Sequence, residues 1–191
     1  MYIKANHQTL AADTYRYIYF KVSNAVAVEG NIESLLGTYV TNQANYTYYR
    51  LFWDANIVFA NNLVLPNTIA KAYAYYGMFE DCQNLLTAPA LPATTLTTSC
   101  YKNMFKGCTR LKSQIVLPAS TLKTQCYYGM FEGCTNLCHI TCLATDISAS
   151  NCTTNWVNGV AASGTFTKAD GMTSWTTGNN GIPSGWTVQN A

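Results

Sequence analysis

"YYGMFEDCQNL" (residues 75–85) is written again as "YKNMFKGCTRL" (101–111) and as "YYGMFEGCTNL" (127–137). Met78, Met104 and Met130 fall 26 apart, and so do Phe79, Phe105 and Phe131. The same interval separates Cys82, Cys108 and Cys134, and again Leu85, Leu111 and Leu137. Through the linking halves it joins Leu91, Leu117 and Leu143, then Cys100, Cys126 and Cys152. A fixed interval of about 20–50 residues marks an array in which each unit leaves an apolar side for its neighbour to cover. The register fades outward. Phe52 and Trp53 fall in the Met–Phe columns one period upstream, and Trp156 stands where a fourth Met would fall. The chain therefore divides into an N-terminal cap (1–45), about four repeats (46–155) and a C-terminal cap (156–191).

Within one unit, Leu96, Cys100, Met104 and Cys108 recur every fourth position, flanked by Tyr101 and Phe105. That spacing predicts a helix with a broad apolar stripe. Thr94 or Thr95 is placed to cap its start, and Gly107 and Gly133 to stop it. The other half, "LLTAPALP", "LKSQIVLP" or "LCHITCLA", is too short for a helix and reads as an extended segment. Pro89 cannot donate to a ladder, so short and irregular strands are expected. The predicted fold is an α/β solenoid of 26-residue strand–helix repeats, capped at both ends, with a C-terminal cap of strands and turns.

Composition narrows the function. Only 10% of the 191 residues are charged, against roughly 25% in ordinary soluble domains, so the exterior must be built from Thr, Asn, Ser, Gln and Tyr. A net charge of +2 argues against a nucleic-acid partner. The basic run Lys102, Lys106, Arg110 and Lys112 belongs to one repeat and reads as a solvated surface. No apolar run approaches the roughly 18 residues of a membrane span, so no membrane insertion is expected. The opening "MYIKANHQTLAADTYRYIYF" lacks a basic region followed by a continuous apolar stretch, so no signal peptide is read there.

The phrase "MFEGCTNL", the "LP" pairs and the "CYYGMF" junction resemble the BspA-like leucine-rich repeats of gut Bacteroidetes surface proteins. "AVAVEGNIESLL" is similar to the opening segment of that family, and "CLATDISASNC" with "WVNGVAASGTFTKADGMTSW" to its closing unit. The resemblance implies a leucine-rich-repeat solenoid exported to the cell surface for adhesion or ligand recognition. Similar repeats also occur in phage-encoded proteins, which implies a virion or tail-associated component as the alternative. Location follows the choice: extracellular or cell surface for a mature piece of an exported protein, otherwise virion or cytoplasm.

Eight cysteines ask for a role. Six repeat with the apolar columns and read as small core fillers. Cys138, His139 and Cys142 form a Cys-His-x-x-Cys run, but no second ligand pair stands at zinc spacing and no metal or other cofactor is expected. Catalysis finds little material. Glu80 and Glu132 share a column with Lys106, which argues for an exposed position that tolerates either sign. No paired-carboxylate spacing, phosphate loop or nucleophile elbow is present, so an enzyme is not expected and a glycan-active one is the remote alternative.

Binding uses the material better. Thr87, Pro89, Ser113, Ile115, His139 and Thr141 lie just outside the core columns and vary between repeats, so they are the candidate ligand-binding face for a protein or glycan. Tyr75, Tyr101 and Tyr127 are copied with the core and read as interior wedges, while "NYTYYR" and "YRYIYF" cluster off the register. Phe166, Met172, Trp175, Ile182 and Trp186 are expected to close the C-terminal end, and Ile32, Leu35 and Leu36 to supply the opposite cap.

Overall fold

In the computed structural model, which describes residues 15, 17–35, 45–66 and 71–191, alternate amides of the repeat phrase do two different things. The N–H groups of Tyr75, Gly77, Phe79 and Asp81 donate to the carbonyls of Cys100, Lys102, Met104 and Lys106 in the next copy, at 2.7–2.9 Å. Those of Tyr76, Met78, Glu80 and Cys82 close back on Tyr73, Tyr75, Gly77 and Phe79. Every fourth residue is left-handed: φ is 58°, 59° and 63° at Tyr73, Gly77 and Asp81. The pattern recurs at Tyr46, Arg50 and Asp54, at Ser99, Asn103 and Gly107, at Gln125, Gly129 and Gly133, and at Asn151, Asn155 and Gly159. Each copy is thus a coil of linked turns, four residues per step, stitched edge-on to the copy after it.

This overturns the expected α/β solenoid and its leucine-rich-repeat architecture. Among the described residues there is no α-helix, only one 3₁₀ turn at Ile32–Leu35 and short parallel strands in two small sheets. The reason is geometric. Residues four apart on an α-helix drift round by about 40°, so a helical stripe must mix steps of three and four. Leu96, Cys100, Met104 and Cys108 never take a step of three. A helix also spends each interior N–H on its own chain, leaving none for a neighbour, whereas the coil frees alternate N–H groups for the next copy. Thr94 and Thr95 are exposed with no helix to cap, and Gly107 and Gly133 are left-handed steps of the coil, not helix stops.

The extended halves pair in parallel. β1 (Val26–Asn31) lies beside β2 (Ile57–Val64); β3 (Ile115–Leu117), β4 (His139–Cys142), β5 (Thr165–Lys168) and β6 (Thr187–Asn190) follow one another in a second sheet. Between the sheets the segment 86–92 holds only the bridge from Phe59 to Thr87, because Pro89 and Pro92 have no N–H for a ladder. Several intervals depart from 26, and two of them bear on the site. Phe52 stacks on Phe79, 27 residues on, and Ile115 pairs with Ile140, 25 residues on.

Stacking builds the core. Tyr48, Tyr75, Tyr101, Tyr127, Trp156 and Trp175 form one column of rings, with centroids 5.3–6.2 Å apart and planes within 23°. Phe52, Phe79, Phe105 and Phe131 form a second at 5.3–6.0 Å. Each such pair contributes about 0.5–1.5 kcal/mol beyond the area it buries. Met78, Met104 and Met130 and Leu85, Leu111 and Leu137 are fully buried, Leu143 of the other Leu column is half-buried, and seven of the eight free thiols are buried. Cys82, Cys108 and Cys134 donate from Sγ to the carbonyls of Phe52, Phe79 and Phe105 at 2.9–3.1 Å. At the ends, Ile32 is buried and Leu35 packs beside the core, while Leu36 lies outside the described residues. Phe166, Met172, Ile182 and Trp186 are buried over the last rung, with Trp175 half-buried among them.

Candidate functional site

The six residues expected on one face divide. His139 is exposed and Thr87, Ser113 and Thr141 are half-buried, but Pro89 is buried and Ile115 is 2% exposed, inside the core. The cause is the 25-residue interval. A shift of one residue moves a strand's side chains to the opposite side, so Ile115 partners Ile140 and the outward position falls to Val116, beside Thr141. The outer rows of the second sheet are therefore Val116, Thr141, Thr167 and Gln189, and His139, Thr165 and Thr187. None of these positions is an aspartate, glutamate, lysine or arginine. Gln114 donates to the Thr141 hydroxyl at 3.4 Å and Gln189 to that of Thr167 at 2.9 Å. Thr87 donates to Asn61 at 2.9 Å, and the Ser113 hydroxyl accepts from the Ala88 amide at 3.0 Å. Where the ladder is broken by proline, a groove of about 450 Å³ opens between Asn61, Pro89, Pro92, Gln114, Val116 and Pro118.

The Cys-His-x-x-Cys run is split by the same alternation. Cys142 is fully buried in the row after Leu117, whereas Cys138 Sγ lies 3.2 Å from Nδ1 of the exposed His139. The three side chains do not converge, and no cluster of three metal-ligating groups occurs among the described residues.

The outer side of the turn coil gathers off-register tyrosines of "NYTYYR" and "YRYIYF" with Tyr73 and Tyr76, except Tyr48, which is buried in the ring column. Tyr46 and Tyr73, both left-handed and half-buried, stack at 4.6 Å and 12°. Beside them Tyr49 meets Tyr76 at 5.1 Å, and Tyr17 and Tyr19 pack on Tyr49 and Trp53. The Arg50 guanidinium lies 5.6 Å from the Tyr49 ring and 5.4 Å from that of Trp53. Further along, the Lys102 ammonium sits between Tyr76 and Tyr128, at 5.6 and 4.5 Å, and donates to Gln125 at 3.2 Å. Burial between the rings pulls its pKa below the usual lysine value.

Arg50 also donates to Glu80, at 3.0 Å from Nε and 2.8 Å from Nη2. Glu80 was expected on an exposed column; instead it is 6% exposed. Burial raises its pKa, and the Arg50 charge and hydrogen bond oppose that rise. Glu132, one step further on the same column after Lys106, pairs with Lys106 at 3.0 Å. Each carboxylate thus faces a cation, an arrangement suited to holding the coil together. The signal for this surface was present: Tyr46 and Tyr73, and Tyr49 and Tyr76, are each 27 apart, an interval hidden by reading every repeat as 26.

No protein-family model matches the chain, and no curated protein and no solved structure shows significant similarity to it.

Proposed function

We propose that the chain is a non-enzymatic recognition module that captures a protein or glycan at a cell surface through the tyrosine-rich outer side of its turn coil. The observation that carries this reading is the placement of Tyr46 and Tyr73. Both occupy left-handed steps, where glycine, asparagine or aspartate fits with less strain. Strained backbone under a large side chain is retained where that side chain has work to do. Tyrosine gives broad amphipathic contact area at low entropic cost, with a hydroxyl for hydrogen bonding, and it dominates evolved binding surfaces. The surrounding chemistry suits an uncharged or weakly charged ligand: rings, amides and hydroxyls, with Arg50 already held by Glu80. The resemblance of the repeat phrase to BspA-like surface proteins points the same way.

The test is a binding screen of the purified chain against immobilised polysaccharides and extracellular-matrix proteins, run beside a Tyr46→Ser, Tyr73→Asn double variant. Selective capture by the natural chain and at least about a ten-fold loss in the folded variant are expected. Equal capture by both proteins would remove this surface from consideration. Turnover of any polysaccharide on the panel would refute the non-enzymatic reading.

A further inference from the structure

β6 closes the second sheet, and among the described residues no strand lies beyond it. Thr187 donates to Gly164 and Ala191 to Lys168, each at 2.9 Å, and the register gives Gln189 the same inward orientation. Val188 and Asn190 therefore aim their N–H and C=O groups out of the edge. All four β6 residues are exposed. The side chains tell the same story. Ile115, Ile140 and Phe166 are 2%, 1% and 0% exposed, whereas Val188, next in that row, is 44% exposed. The column of stacked rings also ends in this layer, at Trp175, whose buried indole N–H has no hydrogen-bond partner.

Sheet edges are normally guarded by lysine, proline, a bulge or a covering segment. Among the described residues, Thr187–Asn190 has none of the four: it is uncharged, regular in register and open to solvent. Two N–H and two C=O groups at strand spacing are matched by another extended backbone, the chemistry of strand addition.

We propose that β6 is a self-association edge, on which β6 of a second copy pairs antiparallel to join two four-stranded sheets into one. The edge is its own complement. Setting Val188 opposite Asn190 of the second copy, and the reverse, uses every outward backbone group of both strands. It also places the two Gln189 carboxamides side by side across the twofold axis, with no like charges brought together. The contact covers the exposed flank of Val188. A four-residue strand falls short of the roughly 1,200 Å² at which stable interfaces begin, so monomer and dimer exchange. This inference does not depend on which ligand the tyrosine surface takes.

Sedimentation velocity on the full chain from about 10 µM to about 1 mM is expected to show the average mass climbing from one chain towards two. Val188→Pro deletes an outward N–H and keeps the inward bonds of Thr187 and Gln189, so it should weaken the dimer at least about ten-fold. Gln189→Lys keeps the backbone intact and sets two ammonium groups across the axis; its dimer should weaken at low salt and recover at high salt. A single mass across the whole range, growth beyond two chains, or a Gln189→Lys dimer as tight as the natural one at low salt would each overturn the assignment.

Discussion

The ring of Tyr46 lies flat on that of Tyr73, 4.6 Å between centroids and 12° from parallel, although both residues hold left-handed backbone at φ 64° and 58°. A left-handed tyrosine costs about 1–2 kcal/mol, and a stacked pair returns about 0.5–1.5. The two effects nearly cancel. Tyr73→Asn, a residue that tolerates this backbone, should therefore shift unfolding stability by no more than about 1 kcal/mol while ligand capture falls about ten-fold or more. Urea unfolding alongside a binding assay separates the two. A stability loss large enough to account for the lost capture would make the pair a structural device only.

One left-handed column alternates side chains with glycines, running Arg50, Gly77, Asn103, Gly129 and Asn155, and this too has an energetic consequence. Asn103 stands over Gly129, and Asp81 over Gly107, one step along each column. A Cβ on Gly129, where φ is 58°, would run into Asn103 Oδ1, a buried acceptor that already lacks a partner. Gly129→Ala should cost about 1–3 kcal/mol, from backbone strain and the clash together. Adding Asn103→Gly removes the clash and leaves the strain, so the double variant should recover part of the loss. Strict additivity in that cycle would show that the two positions do not touch.

How far the fold was legible is best judged on the run from Leu96 to Cys108. The sequence spells out which residues stack on which, because an identical side chain every 26 residues is a statement about columns. It also names the apolar positions within a rung, since a step of four is required by a helix and a four-residue coil alike. What separates the two is the strict step of four kept by Leu96, Cys100, Met104 and Cys108, together with glycines at Gly129 and Gly133, four apart, where a helix interior would be weakened. The binding residues were less legible. Ile115 reads as an outer position when a 26-residue register is carried across the one extra residue in the rung of Ser113 and Gln114. Sequence spacing alone cannot locate such an insertion when both neighbours, Ile115 and Val116, are apolar. The pairing of Tyr46 with Tyr73 was hidden by the converse error, a first interval one residue longer than the rest.

Thiol chemistry offers an inexpensive check on the stacked core. Burial pushes the thiols of Cys82, Cys100 and Cys142 up to about 12, and only the thiolate attacks a disulfide reagent. Cys138, half-buried just before β4, is the one thiol outside the core. With an aromatic disulfide reagent at pH 8, the native chain should release one equivalent of thiolate promptly and the rest only as it unfolds. Cys138→Ser should abolish the prompt phase. Rapid release from several sites in that variant would mean the columns are not closed to solvent.

The buried pair of Glu80 and Arg50 sets a direction for the pH dependence of stability. Burial is the larger influence on Glu80 and raises its pKa in the folded chain above its unfolded value; Arg50 offsets only part of the rise. Below the unfolded pKa the carboxyl is neutral in both states and the fold bears no cost for it. As pH climbs through the interval up to the raised folded value, the unfolded chain ionises first, and stability is lost. Glu80→Gln cannot ionise, so its stability should not carry this component. Measured by urea unfolding between pH 3 and pH 7, the natural chain should therefore lose ground to Glu80→Gln as pH rises across that interval. Subtracting the two curves cancels every other titrating group that the substitution does not disturb. If the natural chain instead gains on the variant over the same range, the attraction of Arg50 outweighs desolvation, and the pair is a net stabiliser of the coil at neutral pH.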